Sequence, residues 1–160
     1  MSAIKEMPDH ARIWVYQANR PFSDDERSFI ERNFEAFVGQ WKAHGKQLQA
    51  TFSIEKNQFI VLAVDETMHQ ASGCSIDASV HVVKQIEQAT GLSLLDRSQV
   101  AFENGEGVKI KAFNQIKEAV ANGEITHSTV VYNNAVQNAG EWKHGWAIPA
   151  EQSWLKRYFA

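Results

Sequence analysis

The stretch that most constrains the fold is FIVLAV, residues 59 to 64. It has no polar position, so it shows neither the alternation of a strand with one wet face nor the stripe of a surface helix. With EKNQ before it and DE after it, it reads as a short strand buried on both faces, which needs covering layers on either side. QLQATFSI, 47 to 54, alternates and supplies the other arm of a hairpin. Such a strand demands a sizeable core. The chain can provide one: 160 residues with 44% hydrophobic and 22% charged content bury roughly two-thirds of their unfolded surface. The expectation is one domain over 1–160, within which 106–160 is the segment a C-terminal subdomain would occupy.

Around this strand the chain alternates strands and helices. ARIWVYQA, 11 to 18, is rich in β-branched and aromatic residues and stops before Pro21, so it is the first predicted strand. In SDDE, Ser23 and Glu26 have capping-box spacing. Phe29, Ile30, Phe34, Phe37, Val38 and Trp41 follow at helical intervals, and Gly45 is the predicted stop. A second helix is predicted from Ser75 to Thr90, with Ile76, Val80, Val83 and Ile86 inward and Gly91 as its end. SQVAFEN and VKIKAF, 98 to 104 and 108 to 113, bracket a glycine-containing turn. The order strand, helix, strand, strand, helix, strand is that of a split βαβ, or ferredoxin-like, arrangement within an α+β fold of antiparallel or mixed sheet. NQIKEAVANG, STVVYNNAV and an aromatic tail extend it as helix, strand and strap.

The tail holds Trp142, Trp146, Trp154, Tyr158 and Phe159. Rings of this size each bury on the order of 150 to 250 Å². They either close the open face or edge of the sheet or form an exposed aromatic surface for a partner.

Composition excludes several function classes. Sixteen basic against nineteen acidic residues give a net charge of -3 without any long block of one sign, so no nucleic-acid partner is expected. The start lacks the pattern of a secretory leader and no apolar run is long enough for a membrane span, which predicts a cytoplasmic chain with no membrane partner. One cysteine cannot form an internal disulfide. Neither a triphosphate loop nor a dinucleotide fingerprint is present, and neither the serine-hydrolase elbow nor the paired-histidine zinc motif occurs. No cofactor is predicted.

The polar concentration that remains is SGCSIDASVH, 72 to 81. Cys74, Asp77 and His81 are spaced by three and four, which sets them along one side of a helix. A thiol near a helix N-terminus feels unpaired amides and the positive end of the dipole, and an imidazole one or two turns away could accept its proton. These are the candidate catalytic residues: Cys74 as nucleophile, His81 as base, Asp77 as orienting group. The competing reading is structural, since serine and aspartate also cap helices and a lone cysteine is usually a small buried hydrophobe. Asp65, Glu66 and His69, with Asp77 and His81, could converge on a metal, but their spacing follows no strong ligand motif, so no metal site is assigned. His10, His44, His127 and His144 are scattered.

RIWVYQANRPF, QWKAHGKQLQATFSI, SGCSIDASVHVVKQIE, GEITHSTVVYNN and WAIPAEQSWLKRYF together resemble an uncharacterised family of small bacterial proteins of about this length, often labelled ABC-transporter ATPases. The label implies a phosphate loop that this chain lacks. The resemblance therefore implies no defined activity. Two expectations stand: a binding or regulatory module acting through a protein partner or a homodimer, or a small hydrolase or acyl transferase built on Cys74.

Overall fold

The computed structural model describes residues 3–159; Met1, Ser2 and Ala160, at the two ends of the leader and tail readings, lie outside it. After a short 3-10 turn the chain forms β1 (Arg12–Gln17), α1 (Asp24–Gln40), β2 (Lys42–Ala43), β3 (Lys46–Gln47), β4 (Gln49–Glu55), β5 (Phe59–Asp65) and α2 (Gly73–Thr90). There follow β6 (Gln99–Glu103), β7 (Val108–Ala112), α3 (Ile116–Ala121), β8 (Val130–Tyr132), α4 (Ala139–Gly145) and β9 (Ala147–Pro149). Two 3-10 turns, Ala150–Gln152 and Trp154–Tyr158, end the described chain. The fold is α+β with antiparallel sheets.

FIVLAV becomes the middle strand of the first sheet, whose order is β1-β5-β4. Every residue from Phe59 to Val64 is 0% exposed. Alternation divides them between two cores. Ile60, Leu62 and Val64 join Tyr16 of β1 under α1 and α2, against Ile30, Phe34, Val83 and Ile86. Phe59, Val61 and Ala63 join Ile13 and Val15 on the other face, against Ala101, Tyr132, Trp142 and Trp146. That second cover is a sheet in the order β7-β6-β8-β9, with α4 beside it. Its outer face is closed in turn by α3 and the terminal turns through Phe102, Ile116, Val131 and Leu155. At roughly 1.5 to 3 kcal/mol per fully buried large apolar side chain, β5 is the main joint between layers.

The chain order β1, β4, β5 thus becomes the spatial order β1-β5-β4, with the later strand between the two earlier ones. β6 is hydrogen-bonded to β7 and β8 in the second sheet.

The helix starts follow their caps. Ser23 Oγ accepts from the Glu26 amide and the Glu26 carboxylate accepts from the Ser23 amide. α1 nevertheless ends before Gly45. The chain turns extended at Trp41, and His44 and Gly45, with φ of 50° and 77°, make the two-residue turn between β2 and β3. A hairpin turn of this type and a helix C-cap both require positive φ, so a glycine marks either. α2 begins two residues earlier than expected, at Gly73 behind the Ser72 cap, and is rotated: Ser75 and Ser79 are buried with Val83 and Ile86, whereas Ile76 and Val80 are half-buried. Trp41 packs in the same core and its indole N–H donates to the Ser75 carbonyl at 2.8 Å. Gly91, at φ 77°, ends the helix as expected.

Candidate functional site

The structure draws attention away from α2 and toward the free edge of β1. Antiparallel pairing with β5 directs alternate backbone groups of β1 outward. At the start of this edge the chain segment before α4 lies alongside. The Ile13 amide donates to the Gln137 carbonyl at 3.0 Å, the Ala139 amide to the Ala11 carbonyl at 2.8 Å, and Arg12 bridges Asn138. Further along, Asn134 of the same segment reaches Gln17, and a cleft lies between the two sheets.

The cleft holds about 300 Å³ and is walled by Val15, Gln17, Val100, Tyr132 and Asn134. Its floor is fixed by an amide chain. Trp146 Nε1–H donates to Asn134 Oδ1 at 2.9 Å, Asn134 Nδ2 donates to Gln17 Oε1 at 2.8 Å, and Gln17 Nε2 donates to the Gln99 carbonyl at 3.2 Å. The Tyr132 hydroxyl donates to the Glu103 carboxylate, and burial together with this carboxylate pushes the phenol far above its usual range, so it stays protonated. At the mouth stand Phe113 and Trp154, 51% and 37% exposed, with ring centroids 5.4 Å apart and planes 14° from parallel. The Phe113 amide donates to the Ser98 carbonyl at 2.7 Å, which sets this pair one residue from Arg97. Arg97 also borders the cleft. Its neighbour Asp96 is engaged: the Ser98 hydroxyl and amide donate to its carboxylate at 2.6 and 2.8 Å and hold its pKa below the usual range. On the other side of Arg97 and Asn134 a second opening of about 590 Å³ is bordered by His10, Arg12, Trp14 and Glu66.

These groups offer hydrogen bonds, a ring surface and a positive charge. Among the described residues, no cysteine, histidine or serine lines the first cleft.

Cys74, Asp77 and His81 lie on the outer side of α2, all three exposed. The helix cap is made by Ser72 and Ser75 without Asp77: the Ser75 amide donates to Ser72 Oγ at 3.2 Å and the Ser72 amide to Ser75 Oγ at 2.7 Å. His81 Nε2 lies 3.3 Å from Gln85 Nε2. Among the described residues no hydrogen bond joins Cys74, Asp77 and His81, and none of them borders either opening. Asp65 accepts from the Thr67 amide and hydroxyl, which lower its pKa, and Glu66 accepts from the Ala71 amide at 2.8 Å. Among the described residues no group of three or more His, Cys, Asp or Glu side chains is arranged to hold a metal. No described helix is long and apolar enough to cross a membrane.

Of the cleft residues, Trp154 alone stood out in the sequence, as part of the aromatic tail. Val15, Arg97, Phe113 and Asn134 come from four distant segments, and no local pattern links them. Compared with protein-family models, curated proteins and solved structures, the chain matches none of them.

Proposed function

We propose that this protein is a cytoplasmic, non-catalytic binding module that takes a protein partner in the cleft beside β1. The observation that carries this reading is the stacked pair Phe113 and Trp154, left open to solvent at the mouth of a concave site. Large rings held parallel and bare are the kind of group that dominates binding energy when a partner covers them. Arg157 sits 5.6 Å over the Trp154 ring and 5.5 Å over that of Tyr158.

A peptide-display selection on the native protein tests the reading. The wild type enriches a peptide consensus, whereas the double variant Phe113→Ser, Trp154→Ser, with an unchanged melting curve, does not. Equal enrichment on both proteins refutes it. The second reading, nucleophilic catalysis by Cys74 with His81 and Asp77, is favoured by the exposure of the thiol. It replaces the first if Cys74→Ala abolishes an activity found in a hydrolase or acyl-transferase screen while leaving the melting curve alone.

A further inference from the structure

We infer that the protein binds a phosphate dianion, free or carried on a small organic compound, in a further opening beside α4, where Lys5, Lys56 and Lys143 hold it. This opening and the cleft share no bordering residue.

Converging charge supplies the first argument. An opening of about 510 Å³ lies between the 3-10 turn Ala3–Glu6, the turn that joins β4 to β5, and α4. Lys5, Lys56 and Lys143 border it from segments far apart in sequence, against one carboxylate, Glu55. Glu55 accepts from the Ser53 hydroxyl at 2.7 Å and forms no ion pair among the described residues. Lys143 is set in place, since its Nζ donates to the Met7 carbonyl at 2.7 Å and to Asp9 Oδ1 at 3.0 Å. An ammonium has three N–H donors, so one remains. The ammoniums of Lys5 and Lys56 have no hydrogen bond or ion pair among the described residues. Even with Asp9 drawn onto Lys143, two unpaired cations face one carboxylate. A concavity lined mainly by one sign of charge concentrates the opposite sign.

Backbone strain at Lys56 supplies the second argument. The Gln58 amide donates to the Glu55 carbonyl at 3.1 Å, closing a turn whose central residues, Lys56 and Asn57, have φ of 54° and 52°. Such turns favour asparagine, aspartate and glycine, because other side chains are strained at positive φ. Asn57 fits that preference and is used: its Nδ2 donates to the Phe22 carbonyl at 2.8 Å and its Oδ1 accepts from Arg27 at 3.1 Å. Lys56 fits it poorly, and its ammonium bonds to nothing among the described residues. What Lys56 contributes in return for the strain is a positive charge on a pinned turn at the opening.

The third argument is an orphaned donor. Trp142 borders the opening and is 5% exposed, and its indole N–H has no acceptor among the described residues. Buried donors are nearly always paired, so this one calls for an acceptor that the chain does not provide. Phosphate oxygens are strong acceptors, and lysine binds the group as a point charge. Trp146 and Ala147 complete the wall and give an organic substituent an apolar surface.

The test titrates the full chain, 15N-labelled, with inorganic phosphate, with phenyl phosphate, and with sodium chloride at matched ionic strength and pH. Phosphate is expected to move the Lys56 amide and the Trp142 indole N–H along one saturable curve at millimolar concentration. Tighter binding of phenyl phosphate assigns the site to an organic phosphate, and equal binding assigns it to the free ion. Lys56→Asn relieves the turn, so its urea midpoint is expected to equal or exceed that of the wild type while phosphate binds about two- to fivefold more weakly. Lys5→Gln, at an exposed position, is expected to weaken binding by a similar factor. A response to chloride as large as that to phosphate, shifts that do not saturate, or undiminished binding by both variants overturns the inference.

Discussion

Two aromatic pairs in the C-terminal part of the chain are built alike and placed differently. Trp142 and Trp146 stack at 5.6 Å and 25°, each 5% exposed, and close the second core under β5. Phe113 and Trp154 stack at 5.4 Å and 14° and remain open at the cleft mouth. The first pair meets Phe59 and Tyr132, with Phe59 and Trp146 centroids 5.0 Å apart. The second pair has Arg157 and Tyr158 beside it and solvent beyond. The contrast teaches that the tail closes cores through Trp142, Trp146 and Leu155 while leaving Trp154 exposed.

The largest effect is expected from breaking the inner pair. Trp146→Ala should lower unfolding free energy by about 3 to 5 kcal/mol, measured by urea denaturation, because it empties a core site and leaves Asn134 without its donor. A loss as small as that of an exposed ring would erase the contrast. A distant cap supplies a control of intermediate size. Glu26 closes the α1 capping box and forms a two-point pair with Arg20, at 2.8 Å for each bond, which holds its pKa at about 2. Glu26→Gln should lower stability at neutral pH by about 1 kcal/mol. A carboxylate with a depressed native pKa stabilises fully above its unfolded value, roughly 4.3, and loses that contribution as pH falls toward about 2. Urea midpoints of wild type and variant should therefore converge over this window.

Removing the outer pair should matter less to the fold. Phe113→Ser with Trp154→Ser is expected to change stability by less than about 1 kcal/mol, while peptide enrichment disappears. A cooperative loss of stability would instead place these rings in the core. The smallest effect is expected at Cys74, which is exposed: alkylation of the native protein should go to completion and move the urea midpoint by no more than about 0.5 kcal/mol equivalent.

What could be read from the sequence was local. Ser23 with Glu26, the bare run of 59 to 64 and Gly91 each carry their physical cause within a few residues. Gly45 was ambiguous because its positive φ serves a turn as well as a helix end. The rotation of α2 was hidden because its inner face packs against residues distant in sequence, Trp41 among them. The cleft was hidden for the same reason: it forms where β1, the loop before β6, the end of β7, the Asn134 segment and the last turn meet. The spacing of Cys74, Asp77 and His81 was legible, but spacing fixes only a shared side of a helix and not whether that side faces a cavity.

The amide chain from Gln17 through Asn134 to Trp146 has a practical outcome. An occupant that draws either amide toward itself changes the polarity at the indole nitrogen of a buried tryptophan. That nitrogen is a native optical reporter: its emission should shift in wavelength when the cleft fills, with no dye attached, and the replacement Trp146→Phe should silence that component of the signal.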